Sequence, residues 1–241
     1  MVFSQNEFDI RVEWGRHGVT LLAPISDVVI IVDVLSFSTS VEIATSRKAT
    51  VYPYDAGVIE LTPREYADSI GAEVAERERG ASLSLSPTSL SRIPEGMRIV
   101  LPSPNGSRLS LATGNTPTLA GCIRNARAVA EAAQKYGQRL AIIPAGERWP
   151  DGSLRPSLED WIGAGAMVHF LSGRASPEAR AAGFTFESVQ HELEALLLQC
   201  SSGKELIERG FSGDVLLASE WNISNCVPVL RAGAYVAQTE G

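Results

Sequence analysis

VVIIVDVLSFSTSVEIA, residues 28–44, is the stretch that decides the fold. Val28–Val32 are five consecutive apolar residues with no polar alternation, so neither face is left for water. A strand of this kind is covered on both sides, as strands of parallel or mixed α/β sheets are. The run ends at one carboxylate, Asp33, and the hydroxyls of Ser36, Ser38, Thr39 and Ser40 follow at once. SVEIATSR, residues 40–47, then reads as a short helix.

Outward from this strand, strands and helices alternate through the first two thirds of the chain. EFDIRVEW (7–14) alternates, with Phe8, Ile10, Val12 and Trp14 on one face and Asp9, Arg11 and Glu13 on the other. That pattern predicts a half-exposed strand near a sheet edge. ATVYPYD (49–55), MRIVLPS (97–103), PTLAGCI (117–123) and QRLAIIPAG (138–146) read as further strands. Helices are expected over 62–79, with Pro63 in the first turn, from Asn105 through NGSRLSLAT, and over 125–137, ending at Gly137. SLEDWIGAGAMVHFLSG (157–173) predicts a helix capped by Ser157 and stopped by Gly173. Gly163, Ala164 and Gly165 make that helix slim, as if something packs closely against it. Residues 185–200, 202–210 and 214–220 read as helical, and GAYVAQ (233–238) as a closing strand. Residues 80–96, rich in Ser, Pro and Gly, form a loop longer than an ordinary connection, and 147–156 is a second loop. The alternation supports an α/β fold, a mixed β-sheet with flanking helices. No repeat or linker divides residues 1–241, which are read as a single domain.

Composition bounds the function. The chain has 241 residues, 44% hydrophobic and 20% charged, with a net charge of -7. An acidic chain without a basic footprint is not read as a nucleic-acid binder. No apolar run reaches the roughly 18 residues of a membrane span, and the N-terminus lacks the basic start of a signal peptide. Cys122, Cys200 and Cys226 are widely spaced without a C-x-x-C. They suit a reducing cytoplasm as small buried apolar residues. His17, His169 and His191 are scattered, which disfavours a histidine zinc site or a Ser-His-Asp triad. His169 reads as a satisfied core residue.

Polar residues gather where strands hand over to the next element. Asp33 with Ser36–Ser40 is one group; Ser103, Asn105, Gly106 and Ser107 are a second; Ala145, Gly146 and Glu147 are a third. Ligands of open α/β sheets collect outside the carboxyl ends of strands, where helix N-termini favour anions. Two readings stand: ordinary capping of a helix, or a phosphate site in which hydroxyls and amides hold the anion beside a carboxylate. Glu159 and Asp160 are adjacent acids in a first helical turn, about 100° apart. Either they favour the helix dipole or one meets a metal while the other orients. Arg77 and Arg79 in AERERG either fork onto phosphate or form a solvated charge run. VIIVDVLSFST lacks the second Asp of a haloacid-dehalogenase motif, since Leu35 stands there. No P-loop and no G-x-G-x-x-G occurs.

In order and spacing, VVIIVDVLSFSTSVEIA, AERERG, LSPTSL, LPSPNGSRL, CIRNARAVAEA, IIPAG and SLEDWIGAGAMVHFL resemble the 2-phosphosulfolactate phosphatase (ComB) family. DVLLASEWNISNCVPVL is similar to the family's end. The resemblance covers about residues 8–235 and implies a ComB-like α/β fold and a Mg²⁺-dependent phosphatase. The implied reaction takes 2-phosphosulfolactate to 3-sulfolactate and phosphate. Asp33, Asn105, Gly106, Glu159 and Asp160 fall on its motif positions. Among its departures from the pattern, which include Phe37 for Ala and a milder Ser103 and Ser107 for Thr, two lose a polar group: Ser36 stands where the family carries Arg, and Leu85 where it carries Asn.

The resulting expectation is a cytoplasmic phosphomonoesterase acting on a small phosphate ester. Asp33 is the catalytic carboxylate, as metal ligand or nucleophile. Asp33, Glu159 and Asp160 are the Mg²⁺ set, and Ser38, Thr39, Arg77, Ser103, Asn105 and Gly106 hold substrate. The alternative is a non-catalytic or diverged family member that binds a small anion. Self-association is left open.

Overall fold

A computed structural model describes residues 2–76 and 82–238. Its strands are β1 Ile10–Val12, β2 Val28–Val32, β3 Thr50–Tyr54, β4 Glu73–Val74, β5 Arg98–Pro102, β6 Thr118–Gly121, β7 Leu140–Pro144, β8 Glu147–Arg148, β9 Leu154–Arg155, β10 Pro228–Arg231 and β11 Ala234–Ala237. The helices are α1 Gly15–Leu22, α2 Phe37–Ser46, α3 Pro63–Ile70, α4 Pro87–Leu90, α5 Gly106–Leu111, α6 Ala126–Gln134, α7 Leu158–Val168, α8 Pro177–Val189, α9 Leu193–Gln199, α10 Ser201–Glu208 and α11 Ser212–Ser219. Nine strands form one sheet in the order β1-β7-β2-β6-β10-β11-β3-β5-β4, and β8 pairs with β9 as a separate hairpin. Among the described residues no helix is long and apolar enough to cross a membrane.

The sheet is mixed for a simple reason. β1, β7, β2 and β6 run parallel, β3, β5 and β4 run parallel, and the antiparallel hairpin β10–β11 joins the two blocks. β2 lies inside the first block, with Ile30 opposite Leu119 on one side and Ile142 on the other. Its side chains alternate between two covered faces. Val28, Ile30 and Val32 pack with residues of α6, α7 and α8, while Val29 and Ile31 pack with Val19 and Leu22 of α1. The unbroken apolar run therefore has the cause expected of it. The slim face of α7 is explained too. A Cβ on Gly163 would lie 2.7 Å from side-chain carbons of Val32 and Val34, and one on Gly165 would lie 2.1 Å from the Ala182 carbonyl oxygen of α8.

Several sequence expectations are corrected. β1 is an edge strand, but Arg11 is only 1% exposed, because the turn at Ala23–Ile25 folds over its face. Its guanidinium donates to Ser26 Oγ (3.0 Å) and the Ile25 carbonyl (3.3 Å), and burial lowers its pKa. The helix expected over 62–79 ends at Ile70. Thr62 and Glu65 form a capping box, Gly71 stops it at φ 63°, and β4 follows. The loop 80–96 contains α4, the loop 147–156 folds into β8–β9, and the helix expected over 185–200 is broken between α8 and α9. α7 ends before Gly173, and His169 is an exposed residue at its end, 3.3 Å from Glu187, rather than a core residue. All three cysteines are free; Cys122 and Cys200 are buried and Cys226 is half-buried.

Candidate active site

The hydroxyls after β2 build a corner. Ser38 Oγ accepts from the Asp33 backbone N–H at 2.9 Å and donates to the Ile31 carbonyl at 3.0 Å, while the Ser38 N–H donates to the Asp33 carbonyl at 2.8 Å. Thr39 Oγ1 donates to the Val34 carbonyl at 2.8 Å. Buried backbone groups need partners, and these side chains supply them where the ladder ends and α2 begins. Ser38 and Thr39 are wholly buried, so the structure turns these two expected substrate ligands inward. They hold the corner and do not line the cleft. The Leu35–Ser36 peptide bond is cis.

What the corner holds is Asp33, 6% exposed. Its Oδ1 accepts from the Phe37 N–H at 3.1 Å and its Oδ2 from the Gly106 N–H at 2.9 Å. The two donors stand at the starts of α2 and α5, so the carboxylate is fixed from two chain segments. Gly106 permits the approach. A Cβ there would sit 2.1 Å from Cδ1 of the buried Phe37 ring.

Asp160 is a second anchor. Its Oδ1 accepts from the Val34 N–H at 2.7 Å, and its Oδ2 from the Gly146 N–H at 2.9 Å and the Ser157 hydroxyl at 2.7 Å. One carboxyl group thus ties the β2–α2 corner, the end of β7 and the start of α7. Burial first, then the charges of Asp33 and Glu159, pushes its pKa well above the usual carboxylate range. Glu159 is 2% exposed and does not line the cleft. It is close enough to Cys200 to help burial push that thiol up to about 11.

Glu147, first residue after the β7 turn, is the acid that the sequence placed at a strand end without giving it a role. Burial, and then the charge of Asp33, pushes its carboxyl up to about 7, against the opposing hydrogen bond from Asn105 and the charge of Arg155. The Asn105 Nδ2 donates to its Oε2 at 2.9 Å. Asp33, Ser36, Ser103, Asn105 and Glu147 line one cleft of about 430 Å³, closed on another side by Leu85 and by Glu205 and Arg209 from α10 and its end. Of the expected residues, the structure therefore brings Asp33, Ser103 and Asn105 into the cleft, with the Gly106 N–H on the Asp33 carboxylate. Arg77 lies outside the described residues. The contribution of Arg209 had no signal in the sequence, since it comes from a helix about 170 residues from Asp33.

Among the described residues no three His, Cys, Asp or Glu side chains form a preformed metal cluster. The donor chemistry still suits a hard cation. Asp33 and Glu147 present carboxylate oxygens to the cleft, and after burial the Asp33 charge is the larger cause of the raised Glu147 carboxyl.

A family profile described as 2-phosphosulpholactate phosphatase matches residues 19–233. The 2-phosphosulfolactate phosphatase of Methanocaldococcus jannaschii is 25% identical over 213 residues, covering 85% of this chain and 89% of its own. That of Methanothermobacter thermautotrophicus is 29% identical, covering 86% and 88%. A probable 2-phosphosulfolactate phosphatase of Thermotoga petrophila is 30% identical, covering 90% and 96%. The matched span contains every described cleft residue from Asp33 to Arg209.

Proposed function

Since the chain belongs to the 2-phosphosulpholactate phosphatase family, we propose that it is a Mg²⁺-dependent phosphomonoesterase acting on a small acidic phosphate ester. By kinship the substrate is 2-phosphosulfolactate and the products are 3-sulfolactate and phosphate. The observation that carries this reading is Asp33, a buried carboxylate clamped by two backbone N–H groups at the mouth of a polar cleft.

In the hydrolysis the bond between phosphorus and the ester oxygen breaks. Water supplies the new P–O bond, and the departing alkoxide takes a proton. Asp33 is the residue to hold the metal. Mg²⁺ is commonly bound through one or two carboxylates, with waters and phosphate oxygens completing its shell. When bound, it supplies positive charge against the phosphate oxygens. Glu147, which burial and then the Asp33 charge raise to about 7 in the metal-free chain, is the group placed to exchange a proton with the attacking water or the leaving oxygen. Asn105 orients that carboxyl, and Ser103 offers a hydroxyl to the ester. Asp160, whose oxygens already accept three hydrogen bonds, holds the cleft's backbone in place and is not needed as a ligand. The Glu159 charge helps to raise the carboxyls of Glu147 and Asp160.

Phosphate release from 2-phosphosulfolactate and a panel of phosphorylated hydroxy acids, with Mg²⁺ and then with EDTA, tests the proposal. Turnover that EDTA abolishes and Mg²⁺ restores is the expected result, and turnover indifferent to EDTA removes the metal from the reading. Ser36 and Leu85, which line the cleft where the family pattern has Arg and Asn, favour the second reading of a diverged binding protein. Tight binding of the esters without turnover would establish it.

A further inference from the structure

Asn105 and Glu147 line a second cleft as well, of about 380 Å³, so their hydrogen-bonded pair is a wall shared by two neighbouring spaces. The charges on the two sides are opposite. Among the described residues, the Asp33 side carries Asp33, Glu147 and Glu205 against Arg209, which itself pairs with Glu205 at 3.3 Å. Among the described residues, the far side carries Arg16 from α1, Arg108 from α5 and Arg148 from β8, with Glu147 as its one acid. Arg108 is drawn toward Asp55 at 3.6 Å, and Arg148 Nη1 donates to the Gly152 carbonyl at 2.9 Å. Arg16 has no ion-pair partner among the described residues, and both it and Arg148 are exposed to solvent.

A phosphate ester of a sulfonated hydroxy acid has two anionic ends. Its phosphate would be served by the acidic side, where Asp33 would hold a cation that offsets the phosphate's charge. Its tail, a carboxylate and a sulfonate, is repelled there. Like charges brought together are costly, while guanidinium groups fork onto such oxyanions with fixed geometry. Ser36 offers no cation on the Asp33 side. We propose that the basic cleft seats the carboxylate–sulfonate tail, and that Arg16 and Arg148 are specificity-determining residues for it. This rests on the phosphatase reading above and adds to it the part of the site that reads the second anion.

The test uses the full chain with Arg16→Gln, Arg148→Gln and the double variant. Both side chains are exposed, so the fold tolerates the changes. The first measurement is kcat/KM for 2-phosphosulfolactate relative to a phosphate ester with an uncharged tail. Each substitution should reduce that ratio roughly tenfold, the scale of one lost hydrogen bond to a charged group, with the change mainly in KM. Equal losses for both esters overturn the proposal. The second measurement is calorimetric binding of 3-sulfolactate, which has the tail and no phosphate. Binding by the wild type that the double variant loses supports the proposal even if no ester is turned over, in which case only the phosphatase reading fails. Failure of 3-sulfolactate to bind the wild type, or undiminished binding by the double variant, overturns it.

Discussion

Replacing Asp33 by Asn separates the electrostatic role of this carboxylate from its structural one. The side chains are nearly equal in volume, but the carboxylate accepts from Phe37 N–H at 3.1 Å and Gly106 N–H at 2.9 Å. An amide has one oxygen, so its NH₂ must face one of those two donors. A lost hydrogen bond to a charged acceptor costs about 1.5–3 kcal/mol. The change also brings relief, because the Asp33 charge is the second cause, after burial, of the raised pKa values of both Glu147 and Asp160. Offsetting the two gives a net destabilisation of about 1–2 kcal/mol. That corresponds to a fall in Tm of roughly 2–8 °C for a chain of this size. Urea unfolding should show a lower midpoint at unchanged slope. Mg²⁺ binding, followed by calorimetry, should weaken, and turnover should disappear. The Glu147 carboxyl, followed by carbon NMR in EDTA, should titrate below about 7. Undiminished Mg²⁺-dependent turnover would exclude Asp33 as ligand or nucleophile. A Glu147 titration identical to wild type would refute the electrostatic account of the cleft.

Gly106→Ala pushes a methyl group to within 2.1 Å of the Phe37 ring, which is buried against Tyr235 at 6.0 Å between centroids. Overpacking of this kind should cost about 1–3 kcal/mol in urea unfolding, and a variant of wild-type stability would mean that Phe37 yields freely. Ser38→Ala removes the acceptor of the buried Asp33 N–H and should cost about 1–3 kcal/mol; an equally stable variant would show that the hydroxyl does not hold the corner. Glu147 has a folded pKa of about 7 against an ordinary 4.5, so the folded state binds its proton more tightly than the unfolded state does. Its favourable contribution is fully present below about pH 4.5 and is lost as pH rises through 7. In EDTA, Glu147→Gln should flatten the stability–pH curve across that window, and an unchanged slope would contradict the raised pKa.

The sequence by itself determined the inner strand β2 and the position of the acid that ends it. Five apolar, mostly β-branched residues without alternation read as a strand covered on both faces, and Asn105-Gly106 after an apolar run marked the start of a helix. The glycines of α7 announced a close neighbour before that neighbour was known to be Val32, Val34 and Ala182. These features are local or periodic, and periodicity reports which residues are buried. It does not report where a polar side chain points. Ser38 and Thr39 are equally suited to an anion or to a backbone carbonyl, and the sharpness of the turn after β2 sent them to the backbone. Asp160 and Glu159 are neighbours of the same type, yet only Asp160 meets the amides of Val34 and Gly146. Arg11 follows the alternation of a surface residue until the Ala23–Ile25 turn covers it. The pairing of Asn105 with Glu147, and the meeting of α1, α5 and β8 around a basic cleft, join segments tens of residues apart. Only the tertiary structure decided these contacts, because a side chain's partner is set by which distant backbone is packed against it.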